Sequence, residues 1–291
     1  LTTLTALIEY GAVAWSKVSA KQHDALRPLL EGGVLVREQS GSGERLVAKR
    51  PAVVGRFAAQ RYPSGLADAK AAAQRAGHLS TVEGVQHFRD AKRGTQHADI
   101  LLLRGRPETT VRCNDAEVPI GTLTATAGVA SVVLDAEHNV SMSGTLAIVE
   151  NQTAFLQAEA LGADFDIALY GHGRLSSRVV AWLACPTMET VDVVHCPDYD
   201  PVGLQECARL YAKCGNRVQL YRPPNLEELL QQYGKSSLYR DGHPLLSSID
   251  DAPPEVQAVA KLLTRYGSGL EQEILISEAS GARTGATTST R

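Results

Sequence analysis

The stretch at residues 195–203, HCPDYDPVG, stands between a short apolar run and an amphipathic helical pattern. Residues 191–194 form the apolar run, and apolar side chains at positions i, i+3, i+4 and i+7 from Leu204 form the helical pattern. A strand that leads through a short polar loop into a helix is the repeating piece of a parallel α/β sheet. The stretch therefore predicts the fold of its surroundings, and its two aspartates stand where such folds bind ligands.

The same alternation of apolar run and helical pattern recurs around this stretch. Four runs predict buried strands, at residues 146–149, 167–170, 191–194 and 218–221. Continuous apolar strands separated by helices are typical of a Rossmann-like parallel sheet that is covered on both faces. We therefore predict one α/β domain over residues 146–275, followed by a disordered, Gly/Ser/Thr-rich tail at 276–291.

Three acidic residues of this domain stand at predicted strand ends. Glu150 closes the first strand, and Asp198 and Asp200 follow the third. If the first and third strands are neighbours at the reversal of strand order, the three carboxylates converge. Carboxylates so placed repel one another unless a divalent cation lies among them, and an all-oxygen donor set suits Mg²⁺ or Mn²⁺. Such a cation orients a phosphodiester and stabilises charge on its oxygens.

The first 62 residues predict a different kind of unit. Two helical patterns, around Leu7 and Leu29, precede two short apolar runs that are joined by a Gly/Ser-rich turn at residues 38–44. Helices followed by a hairpin are typical of a winged helix-turn-helix, so we predict such a domain over residues 1–62. Residues 63–145 combine helix-favouring and strand-favouring segments, and we interpret them as a helical and β-rich connector.

Charge is unevenly distributed along the chain, whose formal net charge is −3. Residues 1–110 hold 16 Lys and Arg against 10 Asp and Glu, so the front is basic and the remainder is acidic. In a winged helix the recognition helix and the wing contact the phosphate backbone. The residues that we predict to bind DNA are Lys17, Lys21, Arg27, Arg37, Arg45, Lys49 and Arg50.

Composition narrows the class of protein further. A chain of 291 residues fits about two domains of ~150 residues. No apolar run approaches the ~18 residues of a membrane span, and no signal segment opens the sequence, so we expect no membrane association. Five cysteines without a CxxC pair predict reduced thiols and a cytoplasmic location.

Glu150 with Asn151, together with residues 198–204, resembles the Toprim domain, a metal-binding fold shared by topoisomerases, primases and several nucleases. The Asp-x-Asp-Pro-x-Gly form is most similar to the A subunit of topoisomerase VI and its relatives, in which a CAP-like winged helix precedes the Toprim domain. The resemblance implies a homodimer with double-stranded DNA between its protomers and Mg²⁺ held by the three acids. Gly203 would then let the following helix begin close to a bound phosphate.

Topoisomerase VI also uses a winged-helix tyrosine to attack DNA. The candidates are Tyr10 and Tyr62, and neither stands in the basic, paired-tyrosine context of that family. An acidic site without this tyrosine resembles the nuclease subunit of Wadjet (JetABCD/MksBEFG-type) SMC defence systems, which cleaves plasmid DNA. Residues 270–273, LEQE, are similar to a C-terminal acidic motif of that subunit, which makes Glu271 and Glu273 candidate further ligands.

The Wadjet resemblance implies a metal-dependent endonuclease that works with an SMC-kleisin-type complex. The chain is shorter than typical members of that group, so we expect an N-terminal arm to be absent or truncated. Three other functions remain open at this point. They are topoisomerase VI-like strand transfer through Tyr10 or Tyr62, a non-enzymatic winged-helix DNA-binding regulator, and a haloacid-dehalogenase-like phosphatase with residues 198–202 as its nucleophile motif.

Two histidines near predicted strand ends are candidates for acid–base work. His172 lies in a Gly-His-Gly sequence, and His195 ends the third strand. The alternative is that both are ordinary loop or rim residues. The Gly-His-Gly sequence lacks the third glycine and the position after the first strand that a phosphate-binding loop requires.

Overall fold

A computed structural model describes residues 1–41, 43–75, 79–93, 98–249 and 251–276. The chain divides into two compact units, residues 1–97 and residues 98–291. Each unit has its own hydrophobic core. Within the described ranges, no helix has both the length and the apolar character needed to cross a lipid bilayer.

The first unit combines helices with a small antiparallel sheet. Its helices are α1 (Thr2–Glu9), α2 (Ala20–Glu31), α3 (Pro51–Arg61), α4 (Leu66–Gln74) and α5 (Thr81–Phe88). Its strands are β1 (Ala12–Ala14), β2 (Leu35–Ser40) and β3 (Gly43–Ala48), in the spatial order β1-β3-β2.

Local sequence explains the boundaries and packing of these elements. Ser19 caps α2 through a reciprocal capping box with Gln22. Leu7, Leu35 and Leu46 are fully buried and join the first helix to the β2–β3 hairpin. The predicted helices and hairpin of residues 1–62 are therefore present in the structure.

The second unit contains the remaining strands and helices. Its strands are β4 (Asp99–Gly105), β5 (Val111–Cys113), β6 (Ala116–Val118), β7 (Ala130–Leu134), β8 (Val140–Ser141), β9 (Thr145–Val149), β10 (Ile167–Tyr170), β11 (Asp192–Cys196) and β12 (Val218–Leu220). Its helices are α6 (Ile120–Ala127), α7 (Gln152–Leu156), α8 (Ser177–Leu183), α9 (Pro201–Cys214), α10 (Leu226–Tyr233), α11 (Ser236–Arg240) and α12 (Pro254–Tyr266). The 3-10 helices of the two units are Trp15–Lys17, Ala91–Arg93, Ala158–Ala160, Pro186–Met188, Gly215–Arg217 and His243–Ser248.

The main sheet of the second unit is mixed, not wholly parallel. Its strand order is β12-β11-β9-β10-β4-β7. The strands β9 to β12 are parallel, whereas β4 runs antiparallel to β10 and β7 runs antiparallel to β4. The prediction of an α/β fold is confirmed, and the four strands predicted within residues 146–275 are parallel. The sheet as a whole is mixed because β4 and β7, which lie outside that predicted domain, extend it with antiparallel pairs. β4 and β7 alternate between buried and more exposed positions, which is typical of antiparallel strands, whereas β9 is buried almost continuously.

Strand order reverses at β9. The chain passes from β9 to β10 on one side of the sheet and then returns to place β11 on the other side. The crevice at such a reversal, beyond the carboxyl ends of the strands, is where open α/β sheets bind ligands. The structure therefore has its expected ligand crevice between β9 and β11.

The predicted connector at residues 63–145 is not a separate body. Its helices α4 and α5 bury Ala69, Ala72 and Phe88 in the core of the first unit. Its strands β4 and β7 bury Leu101, Leu103 and other side chains in the core of the second. The segment falls on both sides of the boundary at residue 97 because its two halves have different periodicities. The predicted tail at 276–291 lies outside the described residues except for Ile276, which is buried.

The position of β4 predicts where the second unit can be cut. A fragment of residues 98–291 retains the whole sheet, whereas a fragment of residues 146–291 lacks β4 and β7 and exposes the edge of β10. We expect the longer fragment to melt cooperatively and the shorter one to aggregate or melt without a cooperative transition, as measured by circular dichroism. Equal cooperative melting of both fragments would contradict this assignment of β4.

Candidate functional site

Glu150 and Asp198 lie side by side at the carboxyl ends of β9 and β11. The two strands pair in parallel register with Val149 opposite Cys196. The backbone N–H of Glu150 donates to the carbonyl of Cys196 at 3.3 Å, and the backbone N–H of Asp198 donates to Glu150 Oε2 at 3.2 Å. Both acids therefore stand in the crevice at the reversal of strand order.

Asp200 joins this edge as the N-cap of α9. Its Oδ1 accepts the backbone N–H of Gly203 at 2.7 Å, and Pro201 occupies the first helical position. Helix capping is thus one role of Asp200. The carboxylate is half-buried and close enough to Glu150 and Asp198 for its charge to act on both.

The packing around Gly203 leaves no room for a side chain at this position. A Cβ added at this position would lie 2.8 Å from Pro197 Cβ and closer still to the carbonyl oxygen of Asp198. The absence of a side chain lets the first turn of α9 pack against the loop that carries the two aspartates. The expectation that this glycine also lets the helix begin close to a bound phosphate stays a prediction.

A C-terminal residue that we did not single out from the sequence holds the site together. Gln272 is fully buried. Its backbone N–H donates to Asp198 Oδ1 at 2.7 Å, its Nε2 donates to the carbonyl of Cys196 at 2.6 Å, and its Oε1 accepts the backbone N–H of Asn151 at 3.1 Å. One amide side chain thus joins the ends of β9 and β11. In the sequence, the only indication of this role is that Gln272 lies between Glu271 and Glu273, which are candidate metal ligands.

The two glutamates beside Gln272 have different surroundings. Glu273 Oε1 accepts from Asn151 Nδ2 at 2.5 Å, while its Oε2 is buried and has no hydrogen-bond partner among the described residues. Glu271 pairs with Lys235 at 2.7 Å and its side chain is 45% exposed. The structure therefore brings Glu273 to the edge that carries Glu150, and places Glu271 in an exposed ion pair.

Asn151 connects these parts. Its Oδ1 accepts the backbone N–H of Thr153 and caps α7, while its Nδ2 donates to Glu273. A side chain with both a donor and an acceptor is needed for this double contact, which an aspartate cannot make. Asn151 thus positions Glu273 by a hydrogen bond and adds no charge to the site.

Crowding of negative charge alters the acidity of the site. Burial first, and then the charges of Asp198, Asp200 and Glu206, raise the pKa of Glu150 from 4.5 to about 7. Burial first, and then the charges of Asp200, Glu273 and Glu271, raise the pKa of Asp198 from 3.8 to about 6, although the Gln272 N–H opposes this shift. Burial also raises the pKa of Asp200. The site is therefore short of positive charge.

The donors of this site are oxygens, but they are not gathered around one point. Within the described ranges, no three His, Cys, Asp or Glu side chains lie close enough together to bind a metal ion. One oxygen each of Glu150, Asp198 and Asp200 accepts a backbone N–H bond. The second oxygens of Glu150 and Asp198 have no protein donor in the part of the chain that is described.

The two candidate histidines occupy different environments. His195 is buried, and burial lowers its pKa to about 4, so its ring is neutral near pH 7. Its Nδ1 has no hydrogen-bond partner among the described residues. His172 is exposed in the loop after β10, with a left-handed backbone and its Nδ1 3.2 Å from the hydroxyl of Tyr170.

The seven basic residues predicted to bind DNA are all exposed in the first unit. Lys21 and Arg27 lie on α2 and Arg37 and Arg45 on the β2–β3 hairpin, whereas Lys17 precedes α2 and Lys49 and Arg50 follow β3. Three of them pair with acids, namely Arg27 with Asp24, Arg37 with Glu44, and Lys49 with Glu38. The others, which are Lys17, Lys21, Arg45 and Arg50, have no acidic partner among the described residues. Tyr10 is 78% exposed and lines an open depression with Lys17 and Arg45, whereas Tyr62 is buried.

Comparison with known proteins gives one family. The sequence model of a family described as a domain of unknown function (DUF7281) matches residues 98–281. The match lies within the second unit and includes the main sheet and the acidic residues at its edge, Glu150, Asp198, Asp200, Glu271 and Glu273. A search of the curated proteins found no match.

The close packing of Gly203 makes a strong prediction for stability. We expect Gly203→Ala to lower the free energy of unfolding by about 3 kcal/mol, because the added methyl group must displace backbone. Val202→Ala is the matched control, since this neighbour in the same turn is 43% exposed. Urea denaturation measures both variants. Equal stabilities would show that the turn has room for a side chain.

The raised pKa of Glu150 predicts a particular dependence of stability on pH. In the folded state Glu150 keeps its proton up to about pH 7, whereas the unfolded chain releases it near 4.5, so the folded state loses stability as pH rises through this window. In metal-free buffer, Glu150→Gln should therefore stabilise the protein at pH 8 by on the order of 2 kcal/mol, after allowance for partial exposure, and have little effect at pH 4.5. Thermal melts across this range measure the difference. A variant that is destabilised equally at both pH values would contradict the shift.

Proposed function

The chain belongs to the family described as a domain of unknown function (DUF7281), so its chemistry must be inferred from the site, and we propose that it is a divalent-metal-dependent DNA nuclease of the Toprim type. The observation that carries the proposal is the adjacency of β9 and β11. This adjacency places Glu150 beside Asp198 at the reversal of strand order, with Asp200 at the start of the next helix.

The donor atoms have the chemistry that suits a hard divalent cation such as Mg²⁺ or Mn²⁺, although among the described residues they are not gathered around one point, so binding would have to draw them together. Carboxylate oxygens are the ligands that these ions prefer, and no sulfur ligand is needed. Glu273 Oε2 is a buried acceptor without a partner in the described part of the chain, and a cation or its bound water would satisfy it. The residues proposed to hold the ion are Glu150, Asp198, Asp200 and Glu273. Glu271 is a weaker candidate because Lys235 already neutralises it.

A cation bound at this edge would neutralise charge on the oxygens of a phosphodiester. The protein's own contribution begins with proton transfer at Glu150. Where Glu150 does not itself hold the ion, its carboxylate is placed to accept the proton of an attacking water. The backbone N–H of Asp198 orients that carboxylate, and Gln272 orients Asp198.

The first unit supports DNA as the substrate. Residues 1–97 hold 14 Lys and Arg against 8 Asp and Glu. The element order α1-β1-α2-β2-β3, with β1 added to the hairpin, suits a CAP-like winged helix in which α2 serves as the recognition helix. Lys17, Lys21, Arg45 and Arg50, which have no acidic partner among the described residues, are available to contact phosphates. We propose that this unit binds double-stranded DNA.

The oligomeric state and partners of the protein are proposed from its resemblance to a known family. A chain with this order of domains and this acidic edge resembles the nuclease subunit of Wadjet-type SMC systems. We therefore propose a homodimer that acts in the cytoplasm on plasmid DNA together with an SMC-kleisin-type complex.

A second candidate function is strand transfer like that of topoisomerase VI. The specific observation in its favour is Tyr10, whose side chain is 78% exposed beside Lys17 and Arg45. Tyr62 is buried and cannot reach a DNA backbone. A covalent adduct between DNA and Tyr10 would establish this alternative.

The nuclease proposal predicts Mn²⁺-dependent nicking of supercoiled plasmid DNA. We expect Asp198→Asn to lower the nicking rate about a hundredfold or more, because it removes a charge from the proposed ion site. Asp192→Asn is the matched control, since this exposed aspartate lies at the amino end of the same strand, β11. Gel electrophoresis with and without EDTA measures the rates. Equal rates for the two variants, or plasmid that stays intact at every Mn²⁺ concentration, would contradict the proposal.

A further inference from the structure

The loop after β10 lies directly on the backbone of Glu150. The N–H of Gly171 donates to the carbonyl of Val149 at 2.8 Å, and the N–H of Gly173 lies 3.5 Å from the carbonyl of Glu150. A Cβ at Gly171 would stand 3.5 Å from Glu150 Cα. Residues 171–174, which include the Gly-His-Gly sequence, are therefore part of the same edge of the sheet as the carboxylates.

Arg174 ends this loop and is tied to a buried acid. Its Nε donates to Glu206 Oε2 at 3.0 Å, and Glu206 is only 4% exposed. Glu206 lies on α9, whose first turn carries Asp200 as its cap. The contact fixes the base of the Arg174 guanidinium while its side chain remains 55% exposed.

The negative charge of Glu206 is already balanced by another residue, Arg209. Arg209 donates to both carboxylate oxygens of Glu206 and also to the carbonyl of Leu175. The N–H of Leu175 donates to Glu206 Oε1 at 3.2 Å. Burial alone would raise the pKa of Glu206, but hydrogen bonds from Arg209, Leu175 and Arg174 and the Arg209 charge lower it. A fork-to-fork pair with Arg209 already balances the buried negative charge.

The three side chains together therefore carry one uncompensated positive charge, and it lies on Arg174. The two terminal nitrogens of Arg174 have no acceptor in the described part of the chain. A planar guanidinium held by one nitrogen and open at the other two has the geometry that binds a phosphate. Neutralising Glu206 does not require this residue, and its loop packs on the backbone of Glu150, so the guanidinium is available to another ligand at this edge of the sheet.

We propose that Arg174, from the loop after β10, binds a backbone phosphate of the DNA at the edge of the sheet that carries the carboxylates. This inference rests on the proposed nuclease function and specifies how the substrate is held. An arginine at this position offsets the repulsion between the acidic cluster and the DNA backbone. Glu206 acts as a positioning residue, because it fixes the guanidinium without contacting the ligand.

DNA binding as a function of salt concentration tests the proposal. Each phosphate contact contributes about 0.9 to the slope of log affinity against log salt, independently of contacts made by the first unit. With Ca²⁺ present and a short labelled duplex, we expect Arg174→Ala to reduce this slope by about one and to weaken binding about tenfold in fluorescence anisotropy. Arg174→Lys, which keeps the charge but loses the fork, should lose less.

Lys213→Ala is the control for charge, since this exposed lysine lies at the far end of α9. It should leave both the slope and the affinity unchanged. Thermal melts and Mn²⁺ binding of Arg174→Ala should match those of the wild type, because Arg209 still balances Glu206.

Two failures are distinguishable. If Arg174→Ala binds DNA with the wild-type slope and affinity, the phosphate contact is wrong while the nuclease proposal stands. If the wild-type protein binds neither Mn²⁺ nor DNA, the nuclease proposal fails and the phosphate contact fails with it.

Discussion

The parallel pairing of β9 with β11 is the constraint on which the rest of the second unit depends. It sets Val149 opposite Cys196, so that the next residues of both strands enter one crevice. Glu150 and Asp198 then meet across a single hydrogen bond, and α9 begins immediately beyond them. The buried run Leu146–Val149 stabilises the pairing, since its four side chains are almost fully excluded from solvent. Burial of the apolar strand residues thus holds the carboxylates of Glu150 and Asp198 close together, although their negative charges repel each other.

Gln272 provides the second constraint. The C-terminal segment reaches the crevice through an isolated bridge between Tyr199 and Leu270, and Gln272 then satisfies the ends of both strands. Because the buried amide of Gln272 has a partner for both its donor and its acceptor, it fixes the ends of β9 and β11 relative to each other. The arrangement also brings Glu273 to the site, where its Oε2 has no hydrogen-bond partner within the described ranges. Acidic residues from two distant parts of the chain therefore share one edge.

Much of the framework could be predicted from the sequence because the signals are local. The strands at 146–149 and 167–170 were predicted within one residue, since buried parallel strands read as continuous apolar runs. The meeting of Glu150 with Asp198 followed from a rule about strand ends. Contacts between segments that are distant in the sequence could not be predicted from such local patterns. The places of β4 and β7 in the main sheet, the three bonds of Gln272, and the pairing of Glu206 with Arg174 and Arg209 all depend on long-range contacts that no local pattern records.

The central claim is that the crevice between β9 and β11 binds a divalent cation, and anomalous X-ray diffraction tests it most directly. Crystals grown with Mn²⁺ and measured at the manganese edge reveal the ion independently of any activity. We expect an anomalous peak within coordination distance of oxygens from Glu150, Asp198 and Asp200, with Glu273 nearby. Absence of a peak in this crevice at saturating Mn²⁺, or a peak bound only by residues elsewhere, would contradict it.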